Sequence, residues 1–223
     1  MTLQAVLWDM DGTLVDSEGL WSITLGDLAR NLGGALSAEV RESLTGSSLI
    51  RSVTAVRREV GLDPDDPAGV EADARWLLDH TLALFSEGLP WRPGAREALV
   101  RVREAGVATA LVTSTYREVT EVSLDTIGRE FFDVVVCGDE VSATKPDPAP
   151  YRRAAELLGV SPADCVAVED SPAGTASAVA AGASVLVVPA DVPVPPGERR
   201  YHRASLEGLS IAELRSVHAG APV

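Results

Sequence analysis

The sequence predicts an α/β fold: a doubly wound parallel sheet with a helical cap domain inserted after its first strand. Three observations predict it. Short apolar runs of strand length recur along the chain, helical patterns alternate with them, and one long stretch breaks that alternation with helical patterning alone.

The first run, Ala5-Val6-Leu7-Trp8, ends in acidic residues and a glycine, as expected of a buried parallel strand whose carboxyl end opens onto a site. Comparable runs cover residues 107–112, 134–136, 165–168 and 184–188, so five strands are predicted. Helices are predicted over residues 95–104, 117–127, 148–158 and 173–180, several of them stopping at glycines such as Gly106, Gly159 and Gly182. The break runs from about residue 17 to about residue 88, where Leu25, Leu28 and Leu32 keep helical spacing and Gly61 to Pro67 form a breaker-rich turn. Gly88 to Gly94 mark the return. The predicted organisation is therefore a core of residues 1–16 and 88–223 and a cap of residues 17–87. The proline-rich stretch 190–197 reads as an extended loop, followed by a last helix over 210–218.

Composition narrows the function. The net charge of −14 over 223 residues disfavours nucleic acid and anionic lipid as partners, because both require clustered Lys and Arg. No apolar run reaches the roughly 18 residues of a membrane helix, and Met1-Thr2-Leu3-Gln4 lacks the basic start of a signal peptide. A cytoplasmic monomer is expected. Cys137 and Cys165 sit in apolar company and read as buried free thiols.

Asp9-Met10-Asp11-Gly12-Thr13 places two carboxylates two positions apart at a strand end, where an extended backbone turns alternate side chains to one side. A carboxylate can attack phosphorus to give an acyl phosphate, and a second acid must then protonate the leaving alkoxide and later take a proton from water. Asp9 and Asp11 suit these two roles. Val166-Ala167-Val168-Glu169-Asp170 repeats the pattern of a strand ending in two carboxylates. Adjacent acids repel each other unless a cation joins them, and an oxygen cage of this kind suits Mg²⁺. Thr113 ends another strand, so its hydroxyl and the backbone N–H groups that follow, beginning at Ser114, can hold phosphate oxygens. Lys145, before Pro146, offers a fixed cation. A phosphate dianion beside three carboxylates carries about −5 against about +3 from Mg²⁺ and lysine, a deficit that a protonated Asp11 reduces. Each feature alone has a commoner reading, as a solvated loop acid, a turn threonine or a surface lysine; their joint order makes the case.

Taken together the chain resembles the haloacid-dehalogenase superfamily, in the branch that contains sugar phosphatases and β-phosphoglucomutases and carries a helical cap on a Rossmann-like core. The resemblance rests on Asp9-Met10-Asp11-Gly12-Thr13-Leu14, Thr113, Lys145-Pro146 and Glu169-Asp170-Ser171-Pro172-Ala173-Gly174, in the family's order. It implies a phosphomonoesterase of small phosphorylated metabolites, with Asp9 as nucleophile and metal ligand and Asp11 as acid/base with its carbonyl on the metal. Thr113, Ser114 and Lys145 would bind phosphate, and Glu169 and Asp170 would complete the Mg²⁺ site. Two departures favour hydrolysis over the alternative, a phosphosugar mutase: Trp21 stands where the mutases carry a histidine, and in Gly46-Ser47-Ser48-Leu49 the leucine replaces their phosphate-binding arginine. Arg51 could substitute only from another helical face. A non-catalytic binding protein on the same fold is the alternative of another class. Trp21, Trp76 and Trp91 are candidate sugar-stacking residues, although packing is the commoner role of a helical tryptophan.

Overall fold

The computed structural model describes residues 2–44, 47–190 and 192–221; Met1, Gly46 and Asp191, on which parts of the sequence reading fall, lie outside them. Among the described residues the sheet has six strands, all parallel, in the order β3-β2-β1-β4-β5-β6. Its strands are β1 (Ala5–Trp8), β2 (Ala108–Val112), β3 (Val134–Val136), β4 (Cys165–Glu169), β5 (Ser184–Val187) and β6 (Arg200–His202). That is the doubly wound order, whose direction reverses between β1 and β4 and opens a crevice at their carboxyl ends.

The sheet is buried on both faces. Val6, Trp8, Leu111, Val166, Val168 and Leu186 face one apolar cluster, while Ala5, Leu7, Val112, Ala167, Val185 and Val187 face the other. This two-residue alternation explains why the strands read as unbroken apolar runs rather than as amphipathic ones. The sixth strand corrects the expected five. Arg200-Tyr201-His202 is a half-exposed edge strand that pairs with β5 through its backbone and has no apolar run to announce it.

After the cap come α5 (Ala95–Glu104), α6 (Arg117–Ile127), α7 (Ala149–Leu158), α8 (Pro172–Ala181) and α9 (Ile211–His218). Their ends are encoded locally: Ser171 accepts a hydrogen bond from the Gly174 N–H at the start of α8, and Ser210 with Glu213 forms a capping box on α9. Between β1 and β2 lie the helices that precede them, α1 (Glu18–Asn31), α2 (Ala38–Ser43), α3 (Leu49–Glu59) and α4 (Pro67–Phe85). Inside this group Arg57 is buried and ion-paired with Asp73 at 2.5 Å, tying α3 to α4. The chain leaves and re-enters the sheet through paired linkers: Val15 bridges Trp91, the Asp16 N–H donates to the Pro90 carbonyl at 2.8 Å, and the Arg92 N–H to the Leu14 carbonyl at 2.9 Å. Both cysteines are buried free thiols, with burial pushing the Cys137 thiol up to about 11.

Candidate active site

Three strand ends and one loop converge at the crevice. Asp9 follows β1 directly, Thr113 follows β2, Glu169 closes β4 with Asp170 next to it, and Lys145 comes from the loop before α7. The ligand oxygens of Asp9, Glu169 and Asp170 lie within 4.8 Å of one another, and all three side chains are buried. Lys145 stands between two of them. Its ammonium donates to Asp9 Oδ1 at 2.5 Å and to Glu169 Oε1 at 2.6 Å.

Glu169 accepts two further hydrogen bonds from the protein: the Tyr151 phenol donates to Oε1 at 2.5 Å and the Ser171 hydroxyl to Oε2 at 3.2 Å, which leaves one lone pair of Oε2 open. Asp170 Oδ1 accepts from the Thr13 hydroxyl at 3.3 Å. Asp9 Oδ2 is different: it is buried and has no hydrogen-bond partner. A buried carboxylate oxygen without a donor is costly, so this atom points to something that binds there.

Charge gives the same indication. Burial, and next the negative charge of Glu169, push the Asp9 carboxyl up to about 7 despite Lys145, and burial together with Asp9 raises Asp170 well above the usual carboxylate range. Burial alone would lower Lys145, but Asp9 and Glu169 outweigh it and hold the ammonium above the ordinary lysine range. One ammonium therefore leaves three buried carboxylates short of positive charge. Hard oxygen donors in this number and spacing fit Mg²⁺. Asp9, Glu169 and Asp170 are the side chains that would hold it.

The backbone is shaped to allow this crowding. Gly12 has φ of 81°, and a methyl group on it would overlap the Asp170 carboxylate; one on Gly174 would overlap the carboxylate of Glu169. Gly174→Ala is thus expected to displace Glu169 and to cost about 1–3 kcal/mol of stability, measurable as a lowered urea midpoint at unchanged slope.

Asp11 is set apart from the three-carboxylate cluster. Oδ1 accepts from the Ser17 hydroxyl at 2.6 Å and the Trp21 indole at 3.0 Å, and Oδ2 from the Thr115 hydroxyl at 2.8 Å and the Thr113 hydroxyl at 3.3 Å. Above these groups lies a cavity of ≈ 580 Å³, whose floor includes Asp9, Asp11, Thr113, Ser114, Lys145 and Asp170. The inserted helices supply Trp21, Leu25, Leu49 and Leu77 as apolar wall, with Arg41 as the cation; its guanidinium donates to the Ser22 hydroxyl at 2.7 Å. Leu49 lines this cavity, whereas Arg51 lines a smaller neighbouring cleft with Ser171 and Ala173.

The structure thus brings Asp9, Asp11, Thr113, Ser114, Lys145, Glu169 and Asp170 to one crevice, and it adds three residues and one new role. Thr115 had a signal, since it lies two residues beyond Thr113 in the turn that leaves β2, where its N–H donates to the Thr113 hydroxyl at 3.0 Å. Tyr151, Ser17 and the donor role of Trp21 had none, because each depends on how a helix seats against the sheet. Of the other tryptophans, Trp76 stacks on His80 at 4.8 Å and Trp91 sits in the linker bridge, so both pack rather than line the cavity.

Acidic strand ends on a doubly wound sheet under inserted helices place the chain in the class of hydrolases of α/β fold with an inserted helical unit. Residues 3–182 match the family model of haloacid dehalogenase-like hydrolases, and the chain belongs to that family. It is 35% identical over 199 residues to hexitol phosphatase A of Escherichia coli, covering 86% of this chain and 87% of that one. It is 32% identical over 181 residues to the phosphorylated carbohydrates phosphatase of Thermotoga maritima, covering 81% and 82%. In structure it is similar to CbbY from Rhodobacter sphaeroides in complex with phosphate, with a TM-score of 0.84 at 30% identity over 96% of this chain and 99% of that one.

Proposed function

We propose that the protein is a Mg²⁺-dependent phosphomonoesterase of small sugar or polyol phosphates that works through an aspartyl phosphate on Asp9. The observation that carries this reading is the unpartnered Asp9 Oδ2, buried beside two further carboxylates and one ammonium on the floor of the cavity. The similarity to hexitol phosphatase A and to a phosphatase of phosphorylated carbohydrates supports the substrate class.

In the first step the Asp9 carboxylate forms a bond to phosphorus as the ester P–O bond breaks, and Asp11 gives its proton to the departing oxygen. In the second, water loses a proton to Asp11 as its oxygen displaces Asp9 from phosphorus, releasing orthophosphate. Thr113, Ser114 and Lys145 hold the phosphoryl oxygens, with Lys145 exchanging part of its contact with Asp9 and Glu169 for them. Bound Mg²⁺ would supply the positive charge that offsets the phosphate and the carboxylates. Residues 17–87 form the cap, residues 1–16 and 88–223 the core, and the paired linkers at Val15 and Trp91 act as the hinge that lets substrate in.

Trp21 and Leu49, where a mutase would carry a histidine and an arginine, favour hydrolysis over mutase chemistry. A cytoplasmic monomer acting on free metabolites completes the reading; among the described residues no helix is long and apolar enough to cross a membrane. Phosphate release from a panel of sugar, polyol, glycolate and nucleotide monophosphates, with and without Mg²⁺, tests it. Release only with Mg²⁺ and fastest from sugar or polyol phosphates is expected. Interconversion of hexose phosphates without release would instead identify a mutase, and no turnover of any compound a binding protein.

The metal site gives an independent result. Mg²⁺ at about 100 times its dissociation constant is expected to stabilise the fold by about 2.7 kcal/mol, a rise in Tm of about 5–10 °C. Asp170→Asn should abolish the rise, as read by thermal melts with and without chelator.

A further inference from the structure

The arginines of the inserted helices fall into three groups. Arg30, Arg57 and Arg75 are ion-paired with Asp27, Asp73 and Asp79, and Arg51 and Arg58 are exposed to solvent. Arg41 is different: it is half-buried, lines the cavity, and takes part in no ion pair among the described residues. A guanidinium taken partly out of water against the apolar side chains of Leu25, Leu44 and Leu49 needs acceptors for its five N–H groups. The protein itself supplies only some of them.

Arg41 is held through one nitrogen. Nη1 donates to the Ser22 carbonyl at 3.0 Å and to the Ser22 hydroxyl at 2.7 Å, while Nε and Nη2 have no protein acceptor among the described residues. Gly26, one turn further along α1, leaves room for the group: a methyl there would lie 3.3 Å from Nη2. Glycine inside a helix costs about 1 kcal/mol relative to alanine, so α1 gives up helix stability where the guanidinium rests. Glu18 and Glu42 line the same cavity. A second anionic group on a ligand would meet these two carboxylates, whereas a hydroxyl can accept from a guanidinium and donate to a carboxylate.

We propose that Arg41 is a specificity-determining residue: Nη1 stays on Ser22 as the anchor, and Nε and Nη2 donate to hydroxyls on the part of the substrate that faces the inserted helices. This rests on the phosphatase reading above and deepens it, from a phosphate ester of a small metabolite to a monophosphate whose tail carries hydroxyls and no second anionic group. Lysine cannot do the same, because its single nitrogen serves either Ser22 or the tail. The contact lies away from phosphorus and is equally strong before and during the reaction, so it acts on KM rather than on kcat.

The test compares glucitol 6-phosphate, which has a hydroxylated tail, with orthophosphate, which fills the floor of the site and has no tail. Arg41→Met, which keeps most of the aliphatic stem, is expected to raise KM for glucitol 6-phosphate about tenfold, the loss that follows removal of hydrogen bonds to a charged group. It should leave kcat, and the inhibition constant of orthophosphate, within about twofold. Arg41→Lys, which keeps a donor for Ser22 and so the tie between α1 and α2, should show the same selective loss. An orthophosphate constant that rises as much as KM would make Arg41 a structural tie, and an unchanged KM would make its two unpartnered nitrogens idle. A larger loss on fructose 1,6-bisphosphate than on glucitol 6-phosphate, or full recovery in Arg41→Lys, would assign the guanidinium to a second anionic group. Each of these results overturns the proposal, as does wild-type activity on glycolate or nucleotide phosphates in place of glucitol 6-phosphate. Wild-type protein that releases phosphate from no compound would refute the phosphatase reading itself, a result distinguishable from all the others.

Discussion

Asp9→Asn is expected to lower phosphate release by about 10⁴-fold or more, as removal of a covalent nucleophile does in other hydrolases. The expectation follows from how little in the crevice could replace it. An amide of the same shape does not attack phosphorus, Asp11 is held away by four donors, and Glu169 is held in place by Lys145, Tyr151 and Ser171. The fold should survive, since Lys145 keeps its 2.6 Å contact with Glu169. Steady-state release on the best panel substrate, beside a thermal melt of the same preparation, checks both halves; an active, folded Asp9→Asn protein would remove Asp9 from the mechanism.

Lys145→Met is expected to have the largest effect on stability. Lys145 is buried and pairs with two buried carboxylates, and methionine fills similar volume without the charge. Breaking a buried pair from one side leaves uncompensated charge at a cost of about 3–5 kcal/mol, which for a chain of this size lowers Tm by about 10 °C. Added Mg²⁺ should recover part of the loss, because a cation near Asp9 and Glu169 takes over part of the compensation. A melt in chelator that matches the wild type would show that the three carboxylates do not carry the charge attributed to them.

Much of this was legible in the chain because the fold places its chemistry at strand ends. Short unbroken apolar runs located β1 to β5, and the residues just past them, Asp9, Thr113 and Asp170, fell into the crevice without further information. The edge strand β6 was not legible, since half-exposed Arg200, Tyr201 and His202 need no apolar pattern to pair through their backbone. Nor was the partner of Asp11: Trp21 was read as a departure from a mutase histidine, yet nothing in the spacing of α1 reveals that its N–H reaches a core carboxylate. Tyr151 is hidden for the same reason, as a tyrosine on α7 looks like packing until the helix seats it under Glu169. Contacts set by one element's docking on another are the class that sequence pattern leaves out.

The central claim, that Asp9 carries the phosphoryl group, is tested most directly by trapping. Protein quenched during turnover of a sugar phosphate with Mg²⁺ is reduced with borohydride, which converts an aspartyl phosphate to homoserine, and the peptide containing residue 9 is sequenced by mass spectrometry. The account predicts homoserine at position 9, present only when both substrate and Mg²⁺ were added. Phosphate release with residue 9 recovered wholly as aspartate, or with homoserine at another carboxylate, would contradict it.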